Sequence, residues 1–308
     1  VSIGGLPFLV TASAATAATV RELFAVAQAH AGPARYTLDV TDDPIERPAT
    51  APSETYDTLL LWRDGDDLVV DSGAGVFAFA DAAGIRVAGD VSGQRFAVGL
   101  RRAMHHALSH VLSLAGRVVV HGAAVARDGR AVLLLGSTGS GKSTCAYLAG
   151  AAGWDVLADD LVALWPGGDD LLAPTSVLAT GVPRALAVPS DVLGGDGGDD
   201  GDALTDDPRG RRRMSHALFA EPCRVGAVAI VRHGSGAGSL RPLAAAELMT
   251  FVIGSAPAAG HPRVARQSFV VASALTATPT WELLTADTPA RRTAEVPRQL
   301  DSVLRHAT

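Results

Sequence analysis

Residues 136–143 read Gly-Ser-Thr-Gly-Ser-Gly-Lys-Ser, and no other stretch constrains the fold as much. The apolar run Val132–Leu135 precedes them and a helix-forming run over 143–152 follows. A strand must therefore end, turn through closely spaced glycines and enter a helix. Glycine lets successive backbone amides converge on one point, and the positive end of the helix adds to their pull on an anion. Gly136, Ser137, Thr138, Gly139, Ser140, Gly141, Lys142, Ser143 and Thr144 are the candidate nucleotide-binding residues. Lys142 suits the outer phosphates as a flexible point charge, and the Ser143 hydroxyl suits Mg²⁺.

Composition bears on that lysine. The chain of 308 residues holds 26 basic side chains, of which Lys142 alone is Lys. Coding bias explains arginine at the other positions, and position 142 is the one where an ammonium was needed. A net charge of −6 argues against a general nucleic-acid binder, whose affinity depends on neutralising phosphates. Cys145 and Cys223, the only cysteines, cannot form a disulfide framework; they suit a reducing compartment and read as small buried hydrophobes. No apolar run approaches the ~20 residues of a membrane span, and residues 1–20 lack the basic start of a signal peptide. The expected location is the cytoplasm, with no membrane and no nucleic acid among the partners.

Periodicity divides the chain into a small N-terminal α/β module over residues 1–115 and a larger α/β domain over 116–308. In the first, residues 16–31 read as a helix with Val20, Leu23, Phe24 and Ala27 on one face, and the acidic, Pro-rich stretch 39–54 as a loop. Short apolar runs alternate with turn residues from Thr55 to Val91, which predicts an antiparallel meander. Residues 93–115 carry a helical stripe of Phe96, Leu100, Met104, Leu108, Val111 and Leu112, stopped by Gly116. In the second, strands are expected at Val156–Trp165, Arg224–Arg232 and Trp281–Leu284, with helices near Leu243–Ile253 and Val296–Leu304. Residues 190–208, Gly-rich with seven Asp, read as a flexible segment running into Arg209, Arg211, Arg212 and Arg213.

Asp128-Gly129, between the β-rich runs Val118–Ala126 and Ala131–Leu135, is a favoured two-residue hairpin turn. Cross-strand partners then sum to 257, which sets His121 opposite Gly136 at the start of the loop. An imidazole there suits phosphate contact or the orientation of a carboxylate. Asp159 and Asp160 follow Lys142 by 17 and 18 residues, inside an apolar run. Adjacent residues of a strand face opposite sides, so the two carboxylates should have different tasks. One would hold Mg²⁺ and the other accept the proton of an attacking hydroxyl. Asp159, with Ser143, is the candidate metal ligand; which Asp is the base stays open. His106 and His110, four apart on a predicted helix, lack a third metal ligand.

His121-Gly122-Ala123-Ala124-Val125, Asp128-Gly129, Gly136–Thr144 and Leu157-Ala158-Asp159-Asp160 together resemble the HPr kinase/phosphorylase family, in particular its shorter HPr-kinase-like serine kinases. Weaker matches fall at Gly181-Val182-Pro183-Arg184 and at Cys223–Val231 leading to Leu240–Leu248. The resemblance is sharp over 117–165 and looser from about 55 to 304. It implies a P-loop kinase core of the HPr-kinase type, a mixed sheet flanked by helices. It also implies ATP- and Mg²⁺-dependent phosphorylation of a serine on a protein or peptide, a lasso-peptide precursor being one such acceptor. His121, Lys142, Asp159 and Asp160 would be catalytic. The sequence departs from the family at Pro183–Val188, where no carboxylate supplies a second metal ligand, and Arg212, Arg213 and Arg224 compete as the assisting cation. Two rivals remain, a small-molecule kinase with the same loop and a nucleotide-sensing protein without catalysis. Nothing in the sequence bears on whether copies of the chain associate into a homo-oligomer.

Overall fold

A computed structural model describes residues 1–24, 27, 29–30, 32–43, 45–56, 58–89, 95–168, 176–182, 186–189, 203–207, 211–214, 221–255 and 262–306, with backbone alone for 186–189, 203–207 and 211–214. It is a mixed α/β structure that divides into two compact units. One joins Val1–Ala25 to Ala29–Arg117, and the other joins Val26–Gln28 to Val118–Thr308.

The first unit contains β1 (Ser2–Ile3), β2 (Leu6–Ala12), α1 (Ala17–Leu23), β3 (Tyr36–Thr41), β4 (Glu54–Tyr56), β5 (Leu59–Asp64), β6 (Asp67–Asp71), β7 (Val76–Ala80), β8 (Gly84–Gly89) and α2 (Phe96–Leu114). Its strands form one mixed sheet in the order β1-β2-β3-β8-β7-β6-β5-β4. The meander expected after Thr55 is present: β5 to β8 pair antiparallel with each neighbour. The full stripe of six apolar residues on α2 is buried, and the helix lies on β6, β7 and β8. Two expectations fail here. The helix over 16–31 shortens to α1, because Val20 alone of the stripe is fully buried and Ala27 lies in non-helical backbone. The loop expected from 39 to 54 gives up both ends to β3 and β4; Tyr36, Leu38 and Val40 alternate inward, a period of two that fits a strand.

The second unit runs β9 (Val118–Arg127), β10 (Arg130–Leu135), α3 (Lys142–Ala151), β11 (Asp155–Gly167), β12 (Ser176–Gly181), β13 (Leu186–Pro189), β14 (Ala203–Asp207), β15 (Arg211–Met214), β16 (Cys223–His233), β17 (Ser239–Pro242), α4 (Ala245–Gly254), α5 (Pro262–Leu275), β18 (Thr280–Thr285) and α6 (Pro289–Arg305). The main sheet has the order β10-β9-β11-β12-β16-β18-β17, and β10 also pairs parallel with β16, so the sheet curls back on itself. Of its two faces, one packs through Ala123, Val125, Val132 and Leu134 on Cys145 and Ala146 of α3 and on Val296 and Leu300 of α6. The other packs through Ala124, Leu133, Leu135 and Ile230 on α4 and α5. Burial on both faces explains why these strands read as nearly continuous apolar runs.

Part of the Asp-rich stretch expected to be flexible is strand β14, in a small sheet of order β13-β15-β14. Its register sets Asp206 opposite Arg212 and Asp207 opposite Arg211. Residues 190–202 lie outside the described residues. No helix among the described residues is long and apolar enough to cross a membrane.

Candidate phosphate-binding site

The hairpin turn is as its residues predict, with Asp128 at φ 54 and Gly129 at φ 71. Pairing follows the expected register from Arg127–Arg130 to Ala123–Leu134 and then stops. The His121 amide donates instead to the Ser255 carbonyl at the end of α4, 2.9 Å away. The pairing of His121 with Gly136 is therefore absent, because α4 occupies that edge of β9 beyond Ala123. The two residues nonetheless line one cleft of about 420 Å³, with Ser137, Thr138, Thr250, Phe251, Gly254 and Ser255.

The loop between β10 and α3 is held by its own hydrogen bonds. Gly136, Gly139 and Gly141 all have positive φ, at 144, 82 and 100, where a side chain would be strained. A Cβ on Gly136 would also stand 2.6 Å from the Val231 carbonyl. Lys142 is 6% exposed, and its ammonium donates to the Gly136 and Ser137 carbonyls at 2.9 and 3.0 Å. The Ser140 amide donates back to Ser137 at 3.1 Å. Gly141 caps α3 with no side-chain bond, so the first-turn amides face the loop without an intrahelical partner. Ser140 Oγ is buried and has no hydrogen-bond partner.

Two irregularities in β11 set the acidic pair. Opposite β9, the register shifts between Val156 and Ala158, so Leu157 is an extra residue in the strand. Leu157 and Ala158 consequently face the same side, towards α4 and α5. Without the bulge Asp159 would face that side too. With it, Asp159 pairs with Ala123 and lies on the face that α3 covers, 4% exposed. Gly181 makes room, since a Cβ there would collide with the Leu157 carbonyl. Asp159, Ala123 and Leu134 form one row across three strands, about 10 Å wide at the usual strand spacing. The second irregularity is Asp160, at φ 87. Its carboxylate stands 3.3 Å from His121 Nε2, and the side chain is 24% exposed.

His121, Asp160 and the first residues of the loop thus meet at one end of the sheet, and Asp159 lies on the α3 side of the same strand. Among the described residues no three His, Cys, Asp or Glu side chains gather as a metal cage. Mg²⁺ needs none: one or two carboxylates with substrate phosphates and water are its usual ligands. Ser143 and Asp159 fit that pattern by residue type.

Arg224 is at the wrong end. It pairs with Arg130, whereas Leu135 at the loop pairs with Ile230, about 20 Å further along the strands. The side chains of Arg212 and Arg213 lie outside the described residues. His106 and His110 are in the first unit. His110 Nε2 donates to the Asp66 carbonyl at 2.8 Å, and His106 stacks on Tyr56. Cys145 and Cys223 are free and buried, and burial pushes the Cys145 thiol up to about 12.

Two contributors escaped the sequence reading. The last turn of α4 walls the cleft, and His233 at the end of β16 bonds the loop, its Nε2 lying 2.6 Å from the Gly139 carbonyl. The available signal for His233 was its position: a polar residue just past an apolar strand, where ligands gather in α/β folds.

No protein-family model matches the chain, and no curated protein sequence matches it. Among solved structures, the Hpr(Ser) kinase/phosphatase from Coxiella burnetii is similar over 61% of this chain and 88% of that one, at 10% identity and a TM-score of 0.30.

Proposed function

We propose that the second unit is an ATP- and Mg²⁺-dependent kinase that transfers a phosphoryl group to a serine hydroxyl of a protein or peptide. One observation carries the reading: Gly136, Ser137 and Thr138 of the loop that Lys142 ties together line one cleft with His121, which pairs with Asp160. The serine and peptide parts rest on the motif resemblance over residues 117–165.

The residues fit a nucleotide. The orphan Ser140 Oγ and the glycine that a Cβ would block leave a donor and space for phosphate oxygens, and the start of α3 adds its partial positive charge. Bound there, ATP with Mg²⁺ supplies the transferable phosphoryl group and neutralises part of its charge. Lys142, already anchored on two loop carbonyls, presents a positive charge to the outer phosphates without first paying to be ordered. Ser143 and Asp159 would hold the metal. Asp160 is the base, because it is the carboxylate that is partly exposed and touches His121. It takes the proton of the acceptor hydroxyl, and His121 orients it and steadies its charge.

The experiment measures ATP turnover and phosphopeptide mass for wild type against Lys142→Ala with a serine-bearing peptide library. Loss of both signals in the variant is expected; equal activity sinks the reading.

A further inference from the structure

The loop tip has little to hold it. Ser137, Thr138 and Gly139 are exposed, and nothing lies within 4 Å of where a Cβ on Gly139 would stand. Glycine adopts either sign of φ at little cost, so the Gly139–Ser140 peptide is the soft joint of the site. A flip would exchange its carbonyl and amide directions and point a negative dipole where amides must meet phosphate. Two hydrogen bonds oppose it. The Ser140 amide is bound to the Ser137 carbonyl at 3.1 Å, and the Gly139 carbonyl to His233 Nε2 at 2.6 Å.

The imidazole is itself fixed from behind. A carbonyl only accepts, so Nε2 carries the proton and donates it to the Gly139 carbonyl. The buried Thr285 hydroxyl stands 3.4 Å from Nδ1 and donates to the Arg232 carbonyl at 3.3 Å, and the Gly234 amide bonds the Thr285 carbonyl at 2.9 Å. The ring also packs beside Gly141, whose Cβ would lie 3.6 Å from His233 Cε1. β16 and β18 thus brace one residue against the loop.

We infer that His233 is a positioning residue of the phosphate loop, holding the Gly139 carbonyl away from the phosphates so that the loop is set for a nucleoside triphosphate before one arrives. This rests on reading the loop as a nucleotide site, though not on the kinase chemistry. His233 touches no reacting atom, so its loss raises the nucleotide dissociation constant and leaves turnover at saturating nucleotide nearly unchanged.

The test compares wild type, His233→Leu and His233→Gln; the Gln amide nitrogen reaches the place of Nε2. Equilibrium binding of ATP should weaken about tenfold in the Leu variant, the worth of one well-placed hydrogen bond, and recover in the Gln variant. In nucleotide-free protein the Ser140 amide should exchange with solvent about tenfold faster in the Leu variant, with thermal midpoints near wild type. Unchanged ATP affinity in the Leu variant overturns the inference. So does a Gln variant that binds as poorly as Leu, or exchange at Ser140 that the Leu substitution does not alter. If wild type binds no nucleoside triphosphate, the site reading and this inference fall together. Binding without phosphoryl transfer removes the kinase reading and supports His233 in its role.

Discussion

Asp160 Oδ1 lies 3.3 Å from His121 Nε2, although the strands pair His121 with Leu161 and Asp160 with Gly122. The diagonal reach coincides with the positive φ of Asp160. A non-glycine residue there carries a cost on the order of 1–3 kcal/mol, and such strain gathers at functional sites.

Asp160→Gly should therefore separate stability from activity. Glycine takes φ 87 without strain, so the thermal midpoint should hold or rise by a few degrees while transfer is lost. Asp160→Asn keeps the strain and should slow transfer by about 10²–10⁴-fold, the usual worth of a general base. Melting curves and ATP turnover on the same samples check both. A Gly variant that melts well below wild type contradicts the strain account.

Gly181→Ala tests the bulge that turns Asp159. The new methyl would meet the Leu157 carbonyl, and the strands must shift to admit it. Overpacking of this kind costs about 1–3 kcal/mol. The thermal midpoint should fall, and the Mg²⁺ concentration needed for half-maximal activity should rise as Asp159 moves. Gly153→Ala is the control, since no atom lies within 4 Å of a Cβ there. Unlike Gly181, Gly153 has a positive φ, at 82, so backbone strain should lower its midpoint without changing the Mg²⁺ requirement.

The contrast between β9 and β11 shows what was legible in the sequence. Asp128-Gly129 encodes its turn locally, so the pairs from Arg127–Arg130 to Ala123–Leu134 followed by arithmetic. The bulge at Leu157 leaves no such mark. Leu-Ala-Asp-Asp reads as ordinary alternation, and the extra residue appears only when β9 and β12 lie beside it. The meander and the stripe of α2 were legible because each has one buried face and a clear period. The helix α5, residues Pro262–Leu275, and the strand β12 were passed over, their apolar positions being spaced among Arg, Gln, Ser and Thr. His233 belongs to a parallel pairing, and parallel partners are joined by long connections that hide their register from the sequence.

Acid should loosen the first unit through His106. Burial, with His105 and Arg63 nearby, lowers its pKa from 6.5 to about 4. The unfolded chain then binds the proton more readily than the folded one between those values. Stability is thus highest above pH 6.5 and is lost as pH falls towards 4. Thermal midpoints of wild type and His106→Gln, compared at pH 7.5 and 4.5, isolate the contribution, at about one unit above and two below the ordinary value. The gap between the two proteins should shift in favour of the variant at the lower pH. A gap independent of pH contradicts the burial of a neutral His106.

Both thiols should be inert in the folded protein, in a definite order of release. Only the thiolate reacts with disulfide reagents, and with its thiol pushed up to about 12 Cys145 is ionised on the order of once in 10⁵ molecules at neutral pH. It is fully buried in the packing between α3 and the sheet, so access needs that core to open. Cys223 is also buried with its thiol raised, in the core between the sheet and α4 and α5, but it is the first residue of β16, and its Sγ bonds the Glu221 carbonyl at a long 3.8 Å. Strand ends open locally at far lower cost than cores. Labelling with a thiol reagent, followed by peptide mass, should therefore tag Cys223 first and Cys145 only at the rate of global unfolding. Denaturant should abolish the difference. Labelling of Cys145 ahead of Cys223 in native buffer contradicts the packing of α3 on the sheet.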